Sequence, residues 1–434
     1  MLFRLVNRQS LMRLLYTLIF YLALPLVLVR LFIRSFKAPA YRRHWAERFG
    51  VLPFTIPKKS IWIHAVSFGE SVAATPLIEH LLQKHPATPI VITNTTPTGR
   101  GYIRKKFEGR LKNAYFPYDT PVTLKRFYRH ANPMCLVIIE TELWPNLLRF
   151  CHQHDVKTIL ANARLSERSA KGYARWPKLV TPMMHELSFV AAQDKAGGQR
   201  FVALGLAPEK LVVTGSIKFD LPIPEDIDQK AAVLKQILGK RPIWIAASTH
   251  EGEEKHILAA HQLIRKQCPN ALLLWVPRHP ERFEPVKTLC EKASLGVITR
   301  SNGKPCTKDT AVFVGDTMGE MLLFYAAAQI AFIGGSLIPI GGHNMLEAAA
   351  LEVPVLTGPN VQNFTQIAKQ LKEARALKVV QNSKALATEV ITLFEDESQR
   401  TAMGQAGATI VAENRGALKR LCALVDQVIP SECR

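Results

Sequence analysis

Short apolar runs alternate with helical patterns along almost the whole chain. The runs stand at residues 61–66, 90–93, 135–139, 158–161, 189–192 and 211–214, and again at 243–247, 272–276, 296–299, 312–314, 330–333 and 353–356. Strand followed by helix, repeated, predicts α/β architecture with parallel sheets and helices on both faces. A chain of 434 residues is long enough for two such domains.

One segment interrupts this rhythm. Residues 219–226 contain two prolines and three acidic residues, which is typical of a connection between domains. We therefore predict two Rossmann-like domains, residues 51–219 and 241–434, that face each other across a cleft and are joined by a linker at 220–240. The last helical stretch, after about residue 400, can pack against either domain.

The N-terminal segment is basic and contains a long apolar stretch. Residues 1–50 carry nine Lys and Arg against the single acid Glu47. Within them, the sixteen residues from Leu14 to Val29 carry no charge, which at about 1.5 Å per residue gives a helix slightly shorter than the ~30 Å hydrocarbon core. A cleaved signal peptide is disfavoured because six basic residues follow the apolar run. A single membrane span and a helix lying in the interface both remain open, and in either case the positive-inside rule predicts a membrane-attached protein with its main body on the cytoplasmic side.

The first apolar run ends in a turn that places a carboxylate at the start of a helix. Ser67-Phe68-Gly69-Glu70 follows the predicted strand directly and precedes a helical pattern. Chemistry in open α/β sheets collects at the carboxyl ends of strands, so Glu70 is a candidate general base. The same four residues resemble a capping box, in which Glu70 would serve only the helix start. The residues alone leave both interpretations open.

The second half of the chain contains a glycine-rich turn between a strand and a helical pattern. Gly334, Gly335 and Ser336 follow the strand, and Gly341-Gly342-His343-Asn344 precede the helix. Glycine allows close approach of the backbone to a ligand and helix-start N–H groups favour an anion, so the turn predicts a phosphate site. Glu347, three residues after Asn344, is placed to accept both hydroxyls of a ribose. The alternative is an ordinary loop in which Asn344 caps the helix. Neither the GxGxxG nor the Walker spacing is present, so neither NAD nor a P-loop nucleotide is indicated.

Other predicted strand ends also carry polar residues. In the second half, Arg278 is a candidate to meet a phosphate or a base, and the backbone around Met318 to flank a base, although each segment is equally consistent with an ordinary loop. In the first half, the candidate cleft or acceptor-binding residues are Ser67, Gly69, Thr98, Gly99, Arg100, Glu142, Asn162 and Arg164. Residues 167–178 interleave basic side chains with Tyr173 and Trp176, which suits phosphorylated lipid headgroups or, equally, a solvated basic helix face.

Composition excludes several classes of protein. The seven cysteines lack CxxC spacing, which argues against a zinc ribbon or a disulfide framework and favours a reducing compartment. No cluster of His, Cys, Asp or Glu has metal-ligand spacing, so neither a metal nor a cofactor is predicted. The net charge of +21 is large, but much of the excess flanks the apolar stretch and no aromatic–basic recognition module is present. No specific nucleic-acid partner is therefore predicted.

Five motifs occur in a fixed order over most of the chain. They are His64-Ala65-Val66-Ser67-Phe68-Gly69-Glu70, Glu140-Thr141-Glu142-Leu143-Trp144-Pro145-Asn146, Asn162-Ala163-Arg164-Leu165-Ser166, Pro277-Arg278-His279-Pro280 and Gly341-Gly342-His343-Asn344-Met345-Leu346-Glu347. Together they resemble the 3-deoxy-D-manno-octulosonic acid (Kdo) transferase family of Gram-negative bacteria. Each motif is weak alone, whereas their joint occurrence in order is specific.

The resemblance implies a membrane-associated, inverting glycosyltransferase of the GT-B fold that moves Kdo from CMP-Kdo to lipid IVA without a divalent metal. It implies that Glu70 is the base acting on the acceptor hydroxyl, that Asn344 and the glycine backbone hold the CMP phosphate, and that Glu347 holds the ribose. The residues implied around the donor nucleotide are Arg278, Gly315, Met318, Gly319, Glu320, Gly335, Ser336, Asn344 and Glu347. The alternatives are another lipid glycosyltransferase or a nucleotide-sugar epimerase of the same architecture, and a non-enzymatic basic protein that binds membranes.

Overall fold

The computed structural model describes residues 8–429, which form two compact units. The first unit comprises the chain up to Asp220 together with the residues from Arg415 onward, and the second unit comprises Leu221–Asn414. The beginning of the predicted anchor segment, including Arg4, and the end of the predicted second domain, including Cys433, lie outside the described residues.

The first unit is built on a parallel sheet of seven strands. The strands are β1 (Ser60–His64), β2 (Ile90–Asn94), β3 (Lys112–Tyr115), β4 (Pro133–Ile139), β5 (Lys157–Ala163), β6 (Phe189–Ala192) and β7 (Leu211–Val213). Its helices up to the end of this sheet are α1 (Arg8–Lys37), α2 (Trp45–Arg48), α3 (Phe68–Lys84), α4 (Pro97–Lys106), α5 (Pro121–Ala131), α6 (Pro145–Gln153), α7 (Glu167–Ala174), α8 (Pro177–Glu186) and α9 (Lys195–Ala203).

The strand order β3-β2-β1-β4-β5-β6-β7 confirms a Rossmann-like arrangement. Successive side chains of a strand point to opposite faces, so Ile61 and Ile63 join one apolar cluster while Trp62 joins the other. The order reverses between β1 and β4. In an open parallel sheet this switch point leaves a crevice at the carboxyl ends of the two strands.

The second unit repeats the plan with its own seven-stranded parallel sheet. Its strands are β8 (Ile243–Thr249), β9 (Leu272–Pro277), β10 (Gly296–Thr299), β11 (Thr310–Val314), β12 (Ile330–Ile333), β13 (Val355–Thr357) and β14 (Leu377–Val379). Its helices are α10 (Ile227–Leu238), α11 (Glu254–Gln267), α12 (Phe283–Lys292), α13 (Met321–Ala327), α14 (Leu346–Ala350), α15 (Thr365–Glu373), α16 (Ser383–Glu395) and α17 (Glu397–Asn414). The order β10-β11-β9-β8-β12-β13-β14 places its switch point between β8 and β12.

Two strands have no counterpart among the apolar runs of the sequence. Both β3 and β14 lie at an edge of their sheet. The edge strand β3 begins with the exposed Lys112, and β14 has three residues with Lys378 in the middle. An edge strand is not covered on all sides, so neither strand needs a continuous apolar run.

The boundary between the units differs from the expected linker at 220–240. This stretch contains α10, whose side chains Ala231 and Leu234 are buried in the second unit. The final helix, α18 (Ala417–Val428), belongs to the first unit. Its Leu421 and Val425 pack in the cluster that contains Ile63, because the apolar side chains repeat along one face of the helix.

One described helix is long and apolar enough to cross a membrane. Within α1, the stretch Leu11–Phe36 contains an 18-residue window with a mean hydropathy of 2.1, and no residue of that window is buried by the rest of the protein. The helix is thus compatible with a membrane anchor, as its composition predicts.

Candidate functional site

The turn after β1 holds Glu70 in a fixed position at the switch point of the first unit. The Val66 N–H donates to Glu70 Oε2 at 2.7 Å, and the Ser67 hydroxyl donates to Glu70 Oε1 at 2.9 Å. Ser67 is also the N-cap of α3, where its Oγ accepts from the Glu70 N–H. The capping arrangement expected as the alternative interpretation is therefore present. It also orients the carboxylate, so the two interpretations are compatible.

Two further carboxylates follow β4, the strand on the other side of the switch point. Glu140, whose φ is +63°, and Glu142 lie directly after the strand. Partial burial raises the pKa of Glu70, the bonds from Val66 and Ser67 oppose this rise, and the charges of Glu140 and Glu142 add to it. Burial and the charge of Glu140 also raise the pKa of Glu142. A carboxylate with a raised pKa is a better proton acceptor near neutral pH.

The Glu70 turn rests on the neighbouring strand and helix. Asn94, at the end of β2, donates to the Ala65 carbonyl at 2.7 Å and to Ser71 Oγ at 3.0 Å. A Cβ on Gly99, at the start of α4, would lie 3.0 Å from the Ser67 carbonyl. Gly99 therefore acts by close packing against the turn. Gly69 has open space around its Cα, so the surface beside Glu70 is free to receive a ligand.

Arg100, predicted as a cleft or acceptor-binding residue, is engaged by a partner inside the first unit. Arg100 is buried and forms a bidentate ion pair with Glu47, and the guanidinium also stacks on the Tyr115 ring. Glu47 accepts in addition from the Tyr115 N–H at 2.8 Å. Because a buried carboxylate already occupies the guanidinium, Arg100 holds α4 against the N-terminal segment rather than presenting a charge to a ligand.

The remaining predicted residues of the first unit lie around the ends of β4, β5 and α4. Asn162 is buried with φ +53°, and its Oδ1 accepts from the Ile217 N–H at 3.2 Å. Arg164 is exposed, and its backbone N–H and carbonyl both bond to Thr141. Thr98 is exposed at the start of α4. Of these three residues, Arg164 and Thr98 are accessible to an acceptor.

The glycine-rich turn of the second unit is occupied by a protein carboxylate. Glu253, fully buried, accepts from the Gly335 N–H at 2.7 Å, the Ser336 N–H at 3.0 Å and the Leu337 N–H at 2.9 Å. The Ser336 hydroxyl donates to the Ile333 carbonyl and accepts from the Gly358 N–H. The Gly335 and Ser336 N–H groups, which are predicted to cradle a donor phosphate, are thus already bonded to a carboxylate in this structure. The turn does bind an anion, but this anion is a side chain of the protein itself.

A group of basic side chains surrounds the switch point of the second unit. His250, after β8, lies 2.7 Å from His343 between the two Nε2 atoms, and their rings are stacked. His279 packs edge-on against His250. Burial is the main cause that lowers the pKa of both histidines, and nearby positive charge, including that of Arg278, lowers it further. The pKa of His343 falls to about 4. The lowered pKa values favour the neutral form of both imidazoles, and the 2.7 Å distance fits a hydrogen bond between one Nε2–H and the other Nε2.

Arg278 is the charged group of this cluster. It follows β9, is half-buried, and makes no ion pair or side-chain hydrogen bond within residues 8–429. Its charge lowers the pKa of His343. Burial raises the pKa of Glu347, and the hydrogen bond from Asn344 and the charge of Arg278 oppose this rise. A partly buried guanidinium without a carboxylate partner is suited to bind a phosphate or carboxylate of a ligand.

Asn344 and Glu347 form a polar pair beside this cluster. Asn344 Nδ2 donates to Glu347 Oε1 at 3.0 Å, and its Oδ1 accepts from the Leu346 N–H at 3.2 Å. Asn344 thus contacts the first residue of the short helix α14, whose N-cap is Met345. The second carboxylate oxygen, Oε2, has no bond within the described residues and can accept from a ligand hydroxyl.

The predicted nucleotide-flanking residues after β11 divide into two groups. Gly315 is packed so tightly that a Cβ would lie 2.9 Å from Phe324. Glu320 forms a bidentate ion pair with Arg300. These contacts stabilise the fold around the turn. Met318 is 64% exposed and Gly319 has φ +88°, which leaves this turn open to a planar ring. Within residues 8–429, no group of three His, Cys, Asp or Glu side chains is arranged to hold a metal.

Sequence reasoning missed Glu253 and the His250–His343 pair. Both are contacts between residues more than eighty positions apart, and neither carries a local spacing that predicts the pairing. The sequence position of these residues does indicate a site. His250 and Glu253 follow the central strand β8 directly, where the switch-point rule already locates a site.

Comparison with known proteins agrees with this geometry. Residues 43–221 match the family model described as 3-deoxy-D-manno-octulosonic-acid transferase (kdotransferase). The 3-deoxy-D-manno-octulosonic acid transferase of Haemophilus influenzae is 40% identical over 417 residues, which cover 95% of this chain and 98% of that protein.

Two solved structures share the fold at low identity. A glycosyltransferase from Rickettsia africae superposes with a TM-score of 0.55 at 14% identity, covering 87% of this chain and 100% of that chain. The UDP-GlcNAc 2-epimerase of Neisseria meningitidis superposes with a TM-score of 0.53 at 15% identity, covering 82% and 99%. These likenesses establish the GT-B fold, while the sequence relative distinguishes the activity. The chain is a glycosyltransferase and belongs to the 3-deoxy-D-manno-octulosonic acid transferase family.

Proposed function

We propose that this transferase moves Kdo from CMP-Kdo to lipid IVA, with inversion at the anomeric carbon and Glu70 as the general base. Membership of the family supports Kdo as the sugar. The observation that carries the base assignment is the Glu70 carboxylate, oriented by Val66 and Ser67 and given a raised pKa by burial beside Glu140 and Glu142.

The proposed reaction is a single displacement. Glu70 accepts the proton of an acceptor hydroxyl as its oxygen bonds to the anomeric carbon of Kdo. The bond from that carbon to the CMP phosphate breaks, and CMP leaves with the bonding electrons. The proton ends on Glu70, so every atom and charge is accounted for.

Arg278 is proposed to stabilise the charge that develops on the departing phosphate. Fixed positive charge at a leaving group strengthens its interaction in the transition state and is typically worth a few kcal/mol. The neutral pair His250–His343 offers an N–H to the same anion or to the Kdo carboxylate. Glu347, whose Oε2 is free, is proposed to accept from the ribose hydroxyls, with Asn344 holding it in place.

Lipid IVA as the acceptor is proposed from the charge of the first unit. Lipid IVA carries two phosphates, and the exposed basic side chains of α7 and the following turn include Arg168 and Arg175. The apolar helix α1 belongs to the same unit and is compatible with a membrane anchor. The proposal places the protein at the cytoplasmic face of the inner membrane.

The function is tested by incubating the full-length protein with CMP-Kdo and lipid IVA and weighing the products by mass spectrometry. We expect lipid IVA to gain the mass of one or more Kdo residues, with release of CMP. Hydrolysis of CMP-Kdo without a heavier lipid would contradict lipid IVA as the acceptor. No consumption of CMP-Kdo with any lipid would contradict the donor.

A further inference from the structure

The helix α1 exposes a broad apolar surface, and one continuous stripe of it runs the length of the helix. The stripe consists of residues spaced three or four apart, so they share one face of the helix. Its members, between 46% and 73% exposed, are Leu11, Leu15, Leu18, Leu22, Leu26, Val29, Ile33 and Phe36. Exposed apolar patches of this extent mark a surface that binds a partner or a membrane.

The first turns of α1 are fixed to the body of the first unit by polar contacts. Arg13 forms a bidentate ion pair with the buried Glu186 of α8 at 2.8 and 3.0 Å. The Tyr16 hydroxyl donates to Asp119 at 2.9 Å, and the Thr17 hydroxyl donates to Asn146 Oδ1 at 3.0 Å. These three side chains form the clamp of α1.

The partners of the clamp are parts of the folded body. Asp119 is buried and accepts from the Asn146 N–H at 3.1 Å and the Leu147 N–H at 2.7 Å, so it caps the start of α6. Asn146 in turn donates to the Asp119 carbonyl at 2.8 Å. If the Tyr16 hydroxyl left this network, the buried Asp119 would keep its two backbone donors but lose its side-chain donor, so the contact favours the docked helix.

The chain also returns to the same body soon after α1 ends. Arg42, in the 3-10 turn Pro39–Arg42, donates to Ser35 near the end of α1 at 3.0 Å. A few residues later, Arg48 donates to the Thr95 carbonyl at 2.9 Å, and Glu47 pairs with Arg100 inside the body. Both ends of α1 are thus tied to the first unit.

A transmembrane orientation conflicts with these two attachments. From Thr17 to Phe36 the helix runs about 29 Å, close to the ~30 Å hydrocarbon core, so a spanning helix would place Phe36 on the side opposite to the clamp. The chain between Lys37 and Trp45 would then have to cross back. Fully extended it reaches only about 28 Å, the 3-10 turn shortens it further, and Arg42 would lie in hydrocarbon. Irregular backbone exposed to lipid does not occur in the hydrocarbon region.

We propose that α1 lies in the plane of the membrane interface, with the stripe immersed in the acyl chains of a bilayer that contains anionic lipids. The charge of the segment favours this occupant. No acidic residue precedes Glu47, and Arg30 and Arg34 are exposed on α1, where they can contact anionic headgroups. A second copy of the chain packed along the same helix would find no acidic partner on it for these arginines. The inference does not depend on which sugar the enzyme transfers.

The orientation is tested by labelling cysteines introduced at the two ends of α1. The full-length variants Ser10→Cys and Ala38→Cys are compared with Lys171→Cys, a body position whose side chain is 73% exposed, in inside-out and right-side-out membrane vesicles treated with an impermeant maleimide. The parent protein gives the background from its own cysteines. We expect all three positions to label in the same vesicle preparation. Labelling of either end of α1 from the opposite face to Lys171 would overturn the proposal.

The occupant of the stripe is tested by binding to vesicles of phosphatidylethanolamine and phosphatidylglycerol. The double variant Leu22→Glu with Leu26→Glu is expected to bind at least tenfold more weakly than the parent. The matched control Val233→Glu, on an exposed position of α10, is expected to bind as the parent does. Unchanged vesicle binding by the double variant, together with loss of a crosslinked dimer, would assign the stripe to a second copy and contradict the proposal.

Discussion

Replacing Glu253 by Gln should loosen the glycine-rich turn of the second unit. The carboxylate is fully buried and accepts three backbone N–H groups, those of Gly335, Ser336 and Leu337, at 2.7–3.0 Å. The Gln carbonyl can still accept from Ser336 and Leu337, which share Oε1. The Gln NH2 then faces the Gly335 N–H, so two donors meet and one buried donor loses its partner.

The expected loss follows from these contacts. An unsatisfied buried N–H costs about 1–3 kcal/mol, and hydrogen bonds to a charged acceptor exceed those to a neutral one by about 1 kcal/mol. We therefore expect the free energy of unfolding of the second unit to fall by about 2–4 kcal/mol. The assay is hydrogen exchange followed by mass spectrometry on peptides that cover residues 334–337, because the two units need not unfold together.

The matched control is Glu251→Gln in the same loop. Its side chain is 80% exposed and, among residues 8–429, pairs with Arg282 at the surface, so its change should stay within about 0.5 kcal/mol. Unchanged protection of the Gly335 amide in Glu253→Gln would refute the reasoning, since it would mean that the carboxylate does not hold the turn.

Three further predictions concern the donor site and pH. Arg278→Gln should raise the donor KM at least tenfold, and Asn344→Ala and Glu347→Ala should also raise it; unchanged donor kinetics would remove these residues from the site. Burial lowers the pKa of His343 to about 4, whereas an unfolded histidine titrates near ~6.5. The unfolded chain binds more protons in that window, so we expect stability to be complete above about pH 6.5 and to fall toward pH 4, measured by denaturant unfolding against pH; a His343→Gln variant with the same pH profile would contradict this. The transfer rate should fall as the pH drops through the raised pKa of Glu70, and a flat rate profile would argue against a carboxylate base.

Most of the architecture follows from local sequence pattern. Central strands such as β4 and β8 are apolar on both faces, so they are visible as continuous apolar runs. Edge strands such as β3 carry polar residues and therefore do not stand out as apolar runs. The helical period of residues 227–238 was present in the sequence, but the prolines before it favoured a linker over a helix.

The candidate site was predictable in part. Glu70, Arg278 and Glu347 stand at strand ends or helix starts, where the switch-point rule directs attention. Arg100 looked equally suitable, but its buried partner Glu47 lies 53 positions away and no local spacing reveals the pair. Likewise, glycine spacing predicted an anion site without revealing that Glu253 fills it. Long-range pairing decides which polar residues remain free for a ligand.

The central claim is tested most directly by the single-turnover rate of Kdo transfer in Glu70→Gln, measured together with the dissociation constant for CMP-Kdo. The control is Glu79→Gln on the same helix, a partly exposed acid paired with Lys106. Loss of a general base typically lowers the rate about 10²–10⁴-fold. We predict that loss for Glu70→Gln, with donor affinity within about twofold of the parent and an unaffected control. A Glu70→Gln rate within about threefold of the parent would show that the carboxylate only caps α3 and would contradict the proposed mechanism.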